Sequence, residues 1–411
     1  MNRKSLEPTA TSPSPLGSLP FGILGDGQLG LFLTQAAQHF GHKVYLWPPE
    51  SQGPAAAFAD KPDQIAASFD RFADGCEYLA IENELQALGL SQQLSAVNQA
   101  KLRPSLDVLK VLADKGRQKE LLVDLKIPTA RFERYEGTAE DCEAWLLRQS
   151  QNFPRGFVLK WTRGGYDGRG VRICRQLKPA LQSELKHFVE AALSQDSGVY
   201  AEELIPYQSE MALVATRSLA GEFCLYPTVV TEQQQGVCHL VRGPASAWGL
   251  TAACEREAAR IGTTLALAVD LVGTFAVEFF VTREGELLVN EIAPRVHNSG
   301  HFSLDVSVCS QFDNHWRALA GIKLGSSASS PFFAMINILG PEDFVGAVKA
   351  FTFASPLARV YWYGKKEMRP GRKMGHINLW GERREDVEAL LTQIQAQLNR
   401  WSDAYTAQGR I

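Results

Sequence analysis

Two apolar strands, each carrying an acid, constrain this chain more than any other feature. Residues 274–294, TFAVEFFVTREGELLVNEIAP, place Arg283-Glu284-Gly285-Glu286 between them. With Glu284-Gly285 at a hairpin tip, counting outward in pairs sets Glu278 opposite Glu291. Opposed Cβ atoms lie about 5 Å apart, and two carboxylates there repel. A divalent cation shared with phosphate oxygens relieves that repulsion, since Mg²⁺ takes one or two carboxylates together with phosphates. A solvated acidic pair is the alternative, and the apolar residues around both acids weigh against it. Strict alternation puts Asn290 on the other face, so it joins the two acids only through a bulge.

A second stretch carries complementary charge. Phe157-Val158-Leu159 reads as a strand that delivers Lys160. Arg163 to Gly170, RGGYDGRG, follows, with Gly164, Gly165, Gly168 and Gly170 around Tyr166, Asp167 and Arg169. Bare backbone approaches a ligand closely, and lysine supplies a point charge. The arrangement suits a lid over a phosphate chain, with a loose surface hairpin as the plain alternative. Farther on, Tyr200 to Pro206 is a strand ending in Glu202-Glu203, then Leu204-Ile205. As a hinge it offers backbone groups to a purine edge, with Glu210 in reach of ribose hydroxyls; an ordinary strand and turn fits equally.

At 411 residues the chain exceeds one core, so two or three domains are expected. Residues 1–19 read as a disordered tail rich in Ser, Pro and Thr. Residues 20–128 open with the strand Phe21–Leu24, the glycine-rich turn GDGQLG from Gly25 and an amphipathic helix to about Phe40, the start of a doubly wound domain. Glu50 is poorly placed as the ribose acid of a dinucleotide site, so these glycines fit tight packing better than NAD. Glu82 and Glu84 end another strand, where such sheets face a ligand, and a solvated loop fits equally. Lys115 and Lys119 share a helical face. Residues 129–325 hold the two stretches above. His297 and His301 have zinc-helix spacing, but Pro294, Gly300 and the lack of a third ligand favour a loop of polar donors. Residues 326–411 follow a Ser-rich boundary, and Lys365, Lys366, Arg369, Arg372 and Lys373 surround Pro370-Gly371, a pocket for a small phosphate.

Net charge is −3, which offers no electrostatic case for nucleic acid or an anionic membrane. No apolar run is long enough for a transmembrane helix. Seven dispersed cysteines without a CxxC pair fit reduced thiols in a cytoplasm.

Together these pieces resemble the ATP-grasp ligases. GDGQLG, RGGYDGRG, NEIAPRVHNSGH, SQFDNHWRAL and YGKKEMRPGRKMGH narrow the resemblance to the 5-(carboxyamino)imidazole ribonucleotide synthases, over about residues 20–380. That resemblance implies an α/β and α+β architecture: a Rossmann-like domain, a central ATP-grasp domain and a small, mostly-β C-terminal domain. It implies ATP with Mg²⁺, bicarbonate as co-substrate and 5-aminoimidazole ribonucleotide as the acceptor, in a cytoplasmic homodimer. Carried over by position, ATP would be held by Lys115, Lys160, Gly165, Tyr166, Asp167, Gly168, Arg169, Gly170, Glu202, Glu203, Leu204, Ile205, Glu210, Asn290 and Glu291. Glu278 and Glu291 would bind the metal. Tyr166, Asp167, Asn298, Ser299, Lys365 and Arg372 would hold the substrate, and Asp167, Arg295 and His297 would serve the chemistry. Lys115 stands where the family often has arginine, Asp26 where it has glycine, and Gln233 where histidine is expected. A formate-using glycinamide ribonucleotide transformylase is the alternative within the fold. A dehydrogenase and a non-catalytic nucleotide-binding regulator are alternatives outside it.

Overall fold

The computed structural model describes residues 19–62, 66–165, 170–347 and 349–406. Strands β1 (Phe21–Leu24), β2 (Val44–Trp47), β3 (Leu79–Ile81) and β4 (Leu102–Arg103) form a parallel sheet in the order β2-β1-β3-β4. Every residue of β1 is buried, as a strand covered on both faces requires. Helix Gln28–His39 buries Leu29, Phe32, Leu33, Ala36 and Ala37, the spacing expected of one apolar face.

Helices Leu106–Leu112 and Lys115–Asp124 follow, capped by the Ser105 and Asp114 side chains. Their apolar residues Val108, Leu112 and Leu122 pack with Phe275, Phe279, Val289 and Ile292. Gln118 fixes the second helix by bonding both the carbonyl and the N–H of Ile292, at 2.8 and 2.9 Å. The chain therefore joins the central core well before residue 128, and Lys115 stands on that core.

Strands β5 (Phe132–Arg134), β6 (Phe157–Trp161), β7 (Val171–Cys174) and β8 (Val199–Glu203) form an antiparallel sheet in the order β5-β8-β6-β7. The large sheet comprises β9 (Tyr207–Arg217), β10 (Phe223–Leu225), β11 (Val229–Gln234), β12 (Val237–Gly243), β13 (Gly273–Thr282), β14 (Leu287–Ala293), β15 (Phe332–Leu339), β16 (Ala358–Trp362) and β17 (Lys373–Gly381). Its order is β14-β13-β9-β11-β12-β15-β17-β16, with β10 on β9. The Ser-rich boundary at 326–330 is not a break in this sheet, because β12 pairs with β15, Leu240 opposite Ile336. Helix Arg384–Thr406 closes that end, with Val387, Leu391 and Ile394 in its core. Among the described residues no helix is long and apolar enough to cross a membrane.

The β13–β14 hairpin corrects one expectation. The tip is the loop Arg283–Gly285, closed by Thr282 N–H donating to the Glu286 carbonyl at 3.0 Å, with Gly285 at φ +83°. A three-residue loop with glycine in the left-handed region is a stable alternative to the two-residue turn. The ladder next to it is thus offset from the expected register, with Val281 opposite Leu287 and Phe279 opposite Val289. A bulge then intervenes, with Asn290 as the extra residue, and it brings Glu278 opposite Glu291 after all.

Candidate functional site

The site lies where the small antiparallel sheet meets the β9–β13–β14 part of the large one. Lys160, four residues into β6, crosses that gap and donates to Asn290 Oδ1 at 2.8 Å. The bulge is what turns Asn290 toward the lysine. Lys160 also contacts the Glu202 carboxylate on β8, and Lys119 Nζ reaches the other Glu202 oxygen at 2.9 Å. Lys119 and Glu202 are almost fully enclosed, 1 % and 2 % exposed. Burial pushes the Glu202 carboxyl up, and the two ammonium groups overcome it and bring it to about 2. Glu202 therefore faces two lysines with its side chain, while its backbone is engaged with strands on both sides. Glu203 pairs with Arg131 at 2.9 Å, and Leu204 N–H donates to the Gly156 carbonyl at 3.1 Å.

Lys115 begins its helix and holds Glu291 Oε2 at 2.9 Å. Burial raises the Glu291 carboxyl, but Lys115, then Lys160 and Arg295, hold it below the ordinary range. Glu278, opposite, is pushed up to about 7 by burial and by the charges of Glu291 and Glu210. Glu210 sits on β9 opposite Phe280 of β13, where Tyr207 stacks on Phe280 with centroids 4.6 Å apart. Two opposed carboxylates, one of them made reluctant to ionise, and a neighbouring amide oxygen form a donor set that fits Mg²⁺.

Loop 294–301 closes one side. Arg295 Nε donates to Glu84 Oε2 at 2.7 Å with both groups largely buried, tying the loop to the first domain. His297 Nδ1 accepts from Ser299 N–H at 3.3 Å and lies 2.8 Å from Ser299 Oγ. That leaves the proton on Nε2, which faces Glu278 Oε1 at 3.5 Å. Burial, then Arg295 and Lys373, lower His297 to about 3, so it is a neutral donor. The Asn298 amide, expected to hold substrate, is paired instead with Asn337 of β15. His301 is fully buried against Phe312 and His376.

On the third side, Lys365 Nζ reaches Gln28 Oε1 at 3.0 Å and the Lys373 carbonyl at 2.8 Å. Arg372 donates to the Glu367 carbonyl at 2.7 Å. The basic loop thus meets the first turn of helix Gln28–His39. The glycine-rich turn before that helix holds an anion of the protein's own. The Glu82 carboxylate accepts from Gly27 N–H at 2.6 Å and Leu29 N–H at 3.0 Å. A Cβ at Gly27 would lie 2.3 Å from Glu82 Oε1, so glycine is needed for that approach. A dinucleotide phosphate has no room there.

Gly165 and Gly170, at the two ends of the glycine-rich stretch, lie against each other. A Cβ on Gly165 would lie 2.5 Å from Gly170 Cα, and Gly165 has φ +74°. Tyr166, Asp167, Gly168 and Arg169 lie outside the described residues. Gln233 is exposed on β11. Sequence reasoning assigned no role to Lys119 or Gln28; it placed Glu84 only at a strand end facing a crevice and Lys373 only in the basic cluster. The four-residue step from Lys115 to Lys119 was the available signal for the first of these.

Three family models match in order: a ribonucleotide synthetase preATP-grasp domain over residues 19–111, an ATP-grasp domain over 120–312 and a phosphoribosylaminoimidazole carboxylase C-terminal domain over 334–390. Among curated proteins, the N5-carboxyaminoimidazole ribonucleotide synthase of Synechococcus elongatus is 37 % identical over 391 residues, covering 91 % of this chain and 94 % of its own. The Aspergillus clavatus carboxyaminoimidazole ribonucleotide synthase, solved with ATP, superposes with a TM-score of 0.80 at 26 % identity, covering 93 % of this chain and 99 % of that one. The Thermus thermophilus N5-carboxyaminoimidazole ribonucleotide synthetase superposes at 0.75 with 32 % identity, over 93 % and 98 %.

Proposed function

The chain belongs to the N5-carboxyaminoimidazole ribonucleotide synthase family, and from that membership we propose how its own residues carry the reaction. It is an ATP-dependent carbon–nitrogen ligase of purine biosynthesis that carboxylates 5-aminoimidazole ribonucleotide. The carbon comes from bicarbonate. ATP phosphorylates bicarbonate, and the exocyclic amine takes the activated carboxyl, with release of ADP and phosphate. The observation that carries this reading is the opposed pair Glu278 and Glu291 beside Lys115 and Lys160.

Phosphoryl transfer asks a protein mainly for positioning and charge neutralisation. Glu278 and Glu291 hold Mg²⁺, with Asn290 beside them. When bound, the ion neutralises charge on the phosphate oxygens. Lys160, braced by Glu202 and Asn290, and Lys115, drawn from Glu291, contact the phosphates. With Glu202 occupied by its lysines and neighbouring strands, the adenine edge falls to Leu204 and Ile205, and Glu210 takes the ribose. Neutral His297 donates a hydrogen bond from Nε2–H to an oxyanion, and Arg295 positions that loop. Lys365 and Arg372 hold the substrate phosphate, with Lys373 nearby. Tyr166 and Asp167 keep the aminoimidazole contacts that the resemblance implies. By the same resemblance the working unit is a homodimer.

The test is ADP release by the purified protein with Mg²⁺. Release should require both aminoimidazole ribonucleotide and bicarbonate. Turnover with formate and glycinamide ribonucleotide, or release indifferent to bicarbonate, would overturn the reading.

A further inference from the structure

Asn298 and Asn337 form a reciprocal amide pair in the interior. Asn298 Nδ2 donates to Asn337 Oδ1 at 3.1 Å, and Asn337 Nδ2 donates to Asn298 Oδ1 at 2.7 Å. The second Asn337 N–H donates to the Cys238 carbonyl of β12 at 2.9 Å. Both side chains are enclosed, 9 % and 1 % exposed. Every donor and acceptor of Asn337 is therefore engaged. Replacing the two amides with apolar residues would be nearly neutral for the pair itself, the cost lying in the Cys238 carbonyl left without its donor. What the amide pair adds is direction, because two parallel hydrogen bonds fix both distance and orientation.

The pair sits between two parts of the proposed site. On one side, Asn298 follows His297, whose Nε2 faces Glu278. On the other, Asn337 lies opposite His376 in the β15–β17 ladder. His376 Nδ1 is 2.8 Å from the Tyr363 hydroxyl, two residues before Lys365. The loop at the reacting end and the loop at the phosphate end are thus referenced to each other through one buried contact.

We infer that Asn337 is a positioning residue that sets the distance between the substrate's phosphate grip and loop 295–299, and so keeps the activated carboxyl in line with the amine. This rests on the carboxylation reading above. A shift of about 1 Å in such a frame costs up to roughly a hundredfold in rate. It also leaves the carboxyphosphate formed by phosphoryl transfer open to attack by water, which returns bicarbonate and phosphate without product.

The experiment measures ADP formed per aminoimidazole ribonucleotide consumed, with full-length wild type, Asn337→Ser, Asn337→Thr and Ile336→Val. Ile336 is a buried neighbour on β15 whose side chain belongs to a separate apolar core, so its variant controls for simple loss of stability. Wild type should couple near one to one. The two Asn337 variants should raise the ratio at least twofold and lower kcat about tenfold or more, with the KM for ATP nearly unchanged. Ile336→Val should keep the wild-type ratio. The inference is overturned by one-to-one coupling in whichever Asn337 variant folds, by failure of both to fold while Ile336→Val does, or by the same rise in Ile336→Val. A wild type that consumes no aminoimidazole ribonucleotide would instead sink the carboxylation reading itself.

Discussion

Lys115 Nζ stands 2.9 Å from Glu291 Oε2, while His297 Nε2 faces the other acid of the pair, Glu278. The two opposed carboxylates are therefore unequal. Glu291 has a cation of its own, whereas Glu278 faces a neutral imidazole at 3.5 Å. Strand pairing alone presents a symmetrical repulsion that either substitution relieves. The lysine makes Glu278 the strained member and Glu291 the anchored one.

Glu278→Gln should stabilise the ligand-free protein at pH 8. The folded carboxyl is raised to about 7 against about 4.3 in the unfolded chain. A raised carboxyl favours folding fully at low pH, and that contribution is lost as pH rises from about 4.3 through 7. With the Glu278 side chain 32 % exposed, solvent screening leaves about 1–2 kcal/mol of the effect. Thermal unfolding in chelator should show wild-type stability declining over that interval and a flatter profile in the variant. Equal slopes would show that Glu278 ionises freely. Turnover with Mg²⁺ should fall by about two orders of magnitude in the variant.

Glu291→Gln should behave differently. It removes the acid that holds Lys115, so stability should drop by about 1 kcal/mol instead of rising. ADP release should fall to near background. Near-wild-type turnover in a folded variant would remove Glu291 from the metal site.

Glu202→Gln tests the buried lysine pair. It leaves Lys119 and Lys160 enclosed without their shared anion, a change that costs about 3–5 kcal/mol. The wild-type carboxyl is depressed to about 2, so its contribution is present above about 4.3 and lost as pH falls through 2. Chemical denaturation at pH 7 should show the full loss, and the KM for ATP should rise as Lys160 loses its brace. A variant as stable as wild type would mean that the two lysines are neutral or solvated.

Much of this site could be read from local pattern. The strands of the first domain, the acid pair and the lysine before the glycines all depend on residues close in sequence. What escaped depended on distant partners. Lys119 was legible only as sharing a helical face with Lys115, because its acid, Glu202, comes from another sheet. Glu82 looked like a crevice acid, yet it caps the helix after Gly27. The pairing of β12 with β15 spans roughly ninety residues, and no periodicity reports it. The opposition of Glu278 and Glu291 was reached through an incorrect turn, and the bulge at Asn290, raised only as a way to bring that residue to the acids, offset the error.

The basic loop before β17 gives the last expectation. Arg372 donates to the Glu367 carbonyl at 2.7 Å, and Lys365 is held by Gln28 and the Lys373 carbonyl. A substrate phosphate monoester carries nearly two charges and is best gripped by a guanidinium fork with an ammonium. That phosphate is remote from the reacting amine, so its contacts act mainly on binding and position. Arg372→Ala should raise the KM for aminoimidazole ribonucleotide ten- to a hundredfold, as expected for a charge-assisted contact of about 1.5–3 kcal/mol. The KM for ATP should change less than about twofold. Arg372 also steadies its own loop through Glu367, and Arg372→Lys separates the two roles. Lysine keeps a charge for phosphate but loses the fork, so it should recover part of the affinity. If instead the alanine variant loses thermal stability while both KM values stay in place, Arg372 is a brace for the loop and the phosphate grip lies elsewhere.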